Sequence, residues 1–249
     1  MEHPFTFFER FIPGVNHENL HVVTTCFVLL VLVGGVFLLY PRLRNASENV
    51  LPDSEISLKA LFEIFLSMLT GLCEDMIGHG GKKYLPFVGS VFFFIFVSNL
   101  VGLIPGFLPP TENWVTGAAV ATISFIAYNY FGFKEHGVGY FKHFLAPVSG
   151  GVTKSFIQWV LIMLPLCLFH VLFAGIELLS SFFRPITLSI RLYANIFADH
   201  MVLGIFSGLV PYLIPLPFMA LGVFVAFIQA FIFTLLTTVY ISGAVAHEH

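Results

Sequence analysis

Charged residues are scarce in this 249-residue chain: Lys, Arg, Asp and Glu together make up 10%, against 57% hydrophobic residues. With a mean hydropathy of +0.92, that scarcity excludes a soluble domain, whose polar face must meet water. The formal net charge of −3 rests on so few charges that it says nothing about partners. Cysteine is also sparse. Cys26, Cys73 and Cys167 lie far apart with no CxxC spacing, so they read as packing residues rather than a redox or metal site. The N-terminal MEHPFTFFERF lacks a basic region followed by an apolar run and a small-residue cleavage site, so the first membrane helix is expected to direct insertion itself. Neither a transporter-type internal repeat nor a low-complexity segment is found.

What the chain does have is long apolar runs. A bilayer core about 30 Å thick needs roughly 20 apolar helical residues per crossing, and several runs meet that length. The expected fold is all-α: a polytopic membrane helix bundle with about five crossings and one interfacial helix, forming a single membrane domain. The first crossing is placed at 22–40, and the basic flank Arg42 and Arg44 argues for a cytoplasmic exit and an outer N-terminus. The segment 54–78 differs. Glu55, Lys59 and Glu63 fall four apart, while Leu58, Leu61, Phe62, Phe65, Leu66 and Leu69 occupy the other side. With its Pro-Asp-Ser start signal, it reads as an amphipathic helix along the cytoplasmic interface. Lys82 and Lys83 keep the chain on that side. A helical hairpin follows at 85–133, joined by LPPTENW, whose lack of Lys and Arg suits the outer side. Lys134, Lys142 and Lys154 mark the return.

From about Ser155 to Val210 the pattern is almost continuously apolar, and a straight helix of that length would run about 80 Å. Either it turns back near Phe183-Arg184-Pro185 or it is one bent, steeply tilted helix; hydropathy leaves both open. A last run covers about Phe218 to Ser242.

The polar residues inside these runs carry the functional signal. An arginine near a helix centre costs about 2.5–3.5 kcal/mol on insertion scales. Arg184, at the proline break, is expected to snorkel to an interface; Arg191 lies two turns further in. Thr187, Arg191, Asn195 and Asp199 are each four apart, so they form one slowly drifting stripe that must face water or protein, with His200 beside it. On the last run, Gly222, Ala226 and Gln229 share a narrow face that lets a neighbour approach closely. Guanidinium keeps its proton in proteins, so Arg191 serves as a fixed charge and not as a relay. It attracts a passing carboxylate and repels a free cation. Asp199, His200 and Glu177 can titrate. That combination is the pattern of a charge-gated proton path. His170 and Tyr193 read as hydrogen-bonded packing residues, and Asn99 as either an interhelical hydrogen-bonding residue or a channel-lining group.

Three motifs are set aside. HENLH at His17 to His21 matches the HExxH zinc string, but lies at a watery helix entrance with no evident third ligand. GHGGKK at Gly78 to Lys83 lacks the spacing and hydroxyl of a phosphate-binding loop. The terminal HEH is read as a solvent-exposed tail. No nucleophile stands with a base, so neither a catalytic role, a cofactor, a metal nor a nucleic-acid partner is expected.

RPITLSIRLYANIFADH followed by FVAFIQAFIFTLLTTVYIS resembles subunit a of F-type ATP synthases, the stationary half of the membrane proton turbine. SNLVGLIPG, PTENWVTGAAVA and the amphipathic segment before them resemble their counterparts, so the resemblance covers nearly the whole chain. It implies two offset half-channels that lead protons to and from carboxylates of a rotating c-ring, with Arg191 matching the essential arginine between them. Asn195, Gln229 and Thr187 match polar positions near that site, and Glu177 an acidic residue on the uptake side. The resemblance also implies two long tilted C-terminal helices at 155–242 packed along the ring, five crossings, an outer N-terminus and a cytoplasmic C-terminus in a bacterial inner membrane. Implied partners are the c-ring, b-type peripheral stalk subunits, membrane lipid and, indirectly, the soluble catalytic head. One departure stands out. Many relatives have Gly just before the His or Glu at position 200 and a His or Glu at position 222, whereas here Asp199 and Gly222 resemble the chloroplast-type arrangement, which carries the uptake role to Asp199 and His200. The alternatives are an independent secondary transporter whose arginine binds an anionic substrate, or an intramembrane metalloprotease. The first should show repeated halves, and the second needs a third ligand.

Overall fold

In a computed structural model of the chain, residues 19–44, 58–78, 80–104, 107–137, 156–209 and 215–245 are described, and they form six α-helices with no strand among them. These are α1 (Leu20–Arg44), α2 (Leu58–Ile77), α3 (Leu85–Gly102), α4 (Trp114–His136), α5 (Phe156–Leu209) and α6 (Pro215–Val245). Spans within three of them, Leu20–Leu38, Gly81–Gly102 and Leu216–Val245, are long and apolar enough to cross a bilayer. The all-helical membrane bundle expected from composition is the observed architecture.

Local chemistry explains the helix ends. α2 stops at Gly78, whose φ of 86° is a left-handed conformation that glycine adopts without a Cβ penalty. The chain then folds back so closely that a side chain at Gly81 would collide with the Cys73 carbonyl. Pro86 sits in the first turn of α3, where a missing N–H costs nothing. Asn113 caps α4, its side-chain oxygen accepting from the Val115 N–H at 2.9 Å. The Pro52-Asp53-Ser54 start signal of α2 lies outside the described residues.

Two boundaries differ from the hydropathy reading. α1 continues past Tyr40 to Arg44, because backbone hydrogen bonding does not stop where apolar character does and arginines suit a helix C-terminus. The long C-terminal segment is a single 54-residue helix through Pro185, which resolves the open choice in favour of one long rod.

The core joins α2 to α6. Leu69 and Cys73 of α2, Phe92 and Ile95 of α3, Ala121 and Tyr128 of α4, Leu188 and Leu192 of α5, and Ala230 and Phe233 of α6 form one buried cluster. Around it Phe62 stacks on Phe93 at 4.9 Å, and Phe65 meets Phe96 and Phe227 at 5.5 and 5.8 Å. Phe62 and Phe65 of α2 are therefore pressed onto α3 and α6, whereas Leu61, expected on that face, is exposed and Lys59, expected on the charged face, is buried. α6 also buries Thr234, Thr237 and Thr238, whose hydroxyls donate to the carbonyls of Ala230, Phe233 and Thr234; their polarity is satisfied within the helix.

Two contacts define one end of the bundle. Lys83, before α3, pairs with Glu135, near the end of α4, at 2.8 Å. The Ser242 hydroxyl, near the end of α6, donates to the Met76 carbonyl near the end of α2. Lys82 and Lys134 belong to that same basic end. The end of α3 and the beginnings of α4 and α6 lie at the opposite end.

Candidate functional site

At that opposite end, α5 brings Asp199 and His200 against α3 and α6. Asp199, His200 and Ile196 of α5, Asn99 and Gly102 of α3, and Gly222, Ala226 and Gln229 of α6 line one small cavity, about 20 Å³ for the centre of a water molecule. That is room for one water. Gln229 is 5% exposed and Asn99 7%, so both polar side chains are held inside the bundle. Gly222 permits the packing: a Cβ there would collide with the Leu103 side chain. The shared Gly222-Ala226-Gln229 face thus lets α3 approach closely.

His200 is anchored on both ring nitrogens. Nε2 lies 2.9 Å from the Gly102 carbonyl oxygen, and Nδ1 lies 3.0 Å from Oε2 of Glu112. The imidazolium is the form that can donate to the Gly102 carbonyl while its charge pairs with the Glu112 carboxylate. Glu112 comes from the short 3-10 turn Pro110–Glu112 between α3 and α4. The same turn buries Thr111 completely, and its hydroxyl donates to Oδ1 of Asn99 at 3.1 Å. The Asn99 amide nitrogen is buried with no hydrogen-bond partner among the described residues. α1 closes over the approach to this turn, with Phe27 and Phe107 rings 5.8 Å apart.

Arg191 does not line the cavity. It is half-buried, flanked on its helix by Ile190 and Phe197, which are 49% and 45% exposed. No hydrogen-bond or ion-pair partner is found for it among the described residues. Asn195, one turn along, is also half-buried and Thr187 is exposed. The Thr187 hydroxyl turns back onto the Phe183 and Arg184 carbonyls at 3.1 and 2.9 Å. The stripe Thr187-Arg191-Asn195-Asp199 therefore runs along the border between the buried face of α5, Leu188-Leu192-Ile196, and an exposed apolar face that includes Ile176, Leu179, Phe183, Ile190, Phe197, Met201 and Ile205. Arg184 is engaged differently: its guanidinium lies over the Tyr240 ring, 4.7 Å from the centroid, near the Tyr128 hydroxyl. Tyr193 stacks on Phe197 at 5.9 Å. The side chains of Glu177 and His170, and His17 of the HENLH string, lie outside the described residues.

Near its C-terminal end α5 thus carries a glycine-lined cavity whose wall includes Asn99, Asp199, His200 and Gln229, and further back on the same helix Arg191 has no partner among the described residues. The family described as ATP synthase A chain matches residues 22–242. The chain belongs to that family. The subunit a of the ATP synthase of Bdellovibrio bacteriovorus is 41% identical, over 96% of this chain and 97% of that protein. One from Syntrophotalea carbinolica is 39% identical over the full length of both, and one from Sulfurihydrogenibium is 37% identical over 92% of this chain and 99% of its own. Family membership makes the chain a component of an ATP synthase membrane sector of bacterial kind.

Of the residues singled out in the sequence, Asp199, His200 and Gln229 meet in the cavity, and Asn99 joins them. Arg191, Asn195 and Thr187 do not line it. Glu112 and Thr111 escaped sequence reasoning, because an acid in a polar turn reads as solvated. The available signal was that Glu112 is the only charge in a connection without Lys or Arg.

Proposed function

We propose that this chain is the stationary subunit of an F-type proton turbine, passing protons through two half-channels to and from carboxylates of a rotating c-ring. In this reading Arg191 is the electrostatic gate between the half-channels. Asp199, His200, Gln229 and Asn195 line the path on one side of it, with Glu177 on the uptake side and Thr187 near the gate. The cavity end faces the outer compartment and the basic end the cytoplasm of a bacterial inner membrane, with the N-terminus outside and the C-terminus inside. The b-type peripheral stalk holds the subunit against the ring. ATP is made in the soluble head, so the chain itself binds no nucleotide.

The observation that carries this reading is the placement of Arg191: a permanent cation with no partner among the described residues, beside an exposed apolar face, about 13 Å along the helix from the cavity at His200. A ring carboxylate entering that face would be held ionised by the guanidinium. It could take up a proton only after moving off the arginine. A proton crossing without the ring would meet a like charge. The transmembrane potential, about 2.3 kcal/mol per charge per 100 mV, then drives rotation in one sense.

The test is Arg191→Ala assembled with its partner subunits in vesicles, measuring ATP-driven proton pumping together with passive leak. Loss of coupled pumping, with or without a new leak, fits the gate. Normal coupled pumping refutes it.

A further inference from the structure

The structure points to a residue outside those assigned above. We infer that Glu112 is a proton-relay residue, exchanging protons between outer water and His200; the inference rests on the half-channel reading. Glu112 and His200 come from different elements and meet at 3.0 Å, with side chains 25% and 22% exposed. Oε2 of Glu112 is itself buried, so one carboxylate oxygen faces the imidazole while the residue as a whole still reaches the surface. Behind the pair, Asn99, whose amide nitrogen is a buried donor with no partner among the described residues, lines a cavity sized for one water. The turn carrying Glu112 is held by the Thr111 to Asn99 bond. The carboxylate is thus paired with His200, which shares one cavity wall with Asn99, Gln229 and Asp199.

A proton from outer water binds the Glu112 carboxylate and gives the neutral acid. Its O–H passes the proton to Nδ1 of neutral His200, which restores the carboxylate and forms the imidazolium. The imidazolium releases its Nε2 proton to a cavity water, which hands a proton to the Asp199 carboxylate. One proton has moved from water to Asp199; Glu112 is again a carboxylate and His200 a neutral imidazole with its proton on Nδ1, and proton exchange with water resets the tautomer before the next cycle. The groups facing the pair are the Gly102 carbonyl and Asn99 from α3, Asp199 from α5 and Gln229 from α6.

The experiment uses the whole complex in inverted vesicles loaded at chosen lumenal pH, with ATP synthesis driven by an imposed proton gradient. Glu112→Gln keeps the shape and removes the acid. It should lower the rate about tenfold or more at neutral lumenal pH. The loss should shrink as the lumen is acidified from roughly pH 8 to pH 6, where water-borne protons can charge His200 directly. Glu112→Asp should retain most activity. A purely structural role would lower the rate equally at each pH, and that result, or a Glu112→Gln rate within about twofold of the parent throughout, overturns the inference. Copurification of the ring with each variant checks assembly. If Glu112→Gln is unaffected while Arg191→Ala loses pumping, only the relay fails; if Arg191→Ala pumps normally, the half-channel reading fails as well.

Discussion

Arg184 and Arg191 sit two turns apart on one helix, in the same apolar surroundings, and the protein treats them in opposite ways. Arg184 is taken up by the chain: its guanidinium lies over Tyr240 of α6, near Tyr128 of α4, and the aromatic faces offset part of the penalty of a cation in the bundle. Arg191 has no such arrangement among the described residues and borders exposed Ile190 and Phe197. Both are arginines, so the charge to be compensated is the same. What differs is who supplies the compensating partner. For Arg184 the partner is internal, which makes it a clamp between helices. For Arg191 none is found among the described residues, and under the proposed function a ring carboxylate would supply it.

The sharpest way to break this contrast is to neutralise each arginine in turn. Arg191→Gln should reduce coupled proton pumping by about a hundredfold or more, whereas Arg184→Gln should leave it within a few-fold; equal losses would mean that both act as clamps. Next in size is the cavity end. His200→Ala removes the group that bridges the Gly102 carbonyl and Glu112, and should slow pumping about tenfold or more without raising the leak. Smaller again is Gly222→Ala, whose added methyl would collide with Leu103. It should destabilise the assembled subunit by about 1–3 kcal/mol, measured as a lower thermal midpoint in detergent, and Leu103→Ala in the same chain should recover most of that. The smallest effect is expected for Tyr240→Leu, which takes away the ring beneath Arg184. A cost of about 0.5–2 kcal/mol in stability, with pumping within about twofold, would confirm the clamp; a large loss of pumping at unchanged stability would move Arg184 into the proton path.

The helical runs were legible because membrane segments announce themselves by length and hydropathy, and α2 because its charges recur every four residues. α5 was not, since Pro185 can either end a helix or be tolerated inside one at the loss of a single hydrogen bond. Burial of Leu188, Leu192 and Ile196 beyond the proline supplies packing that keeps the rod continuous, and that is a tertiary fact. At the site, the spacing of Asp199 and the shared face of Gly222 and Gln229 named the α5 and α6 walls. The α3 wall was half visible through Asn99, whose two readings merge here, since it both bonds Thr111 and lines the cavity. Glu112 was invisible because its partner is far along the chain, and no local periodicity records a turn folding onto the far end of a helix.

The most direct measurement of the central claim is disulfide cross-linking across the exposed border of α5. In a chain whose three native cysteines are replaced by serine, cysteine is introduced at Ala194, exposed and three residues from Arg191, and a second cysteine beside the carboxylate of the ring subunit. The account predicts that mild oxidation joins the two and stops rotation-coupled pumping until the bond is reduced, while cysteine at Tyr128, beside Arg184, does not cross-link. Failure of the Ala194→Cys chain to join the ring, with Arg191 reached only from lipid, would contradict it.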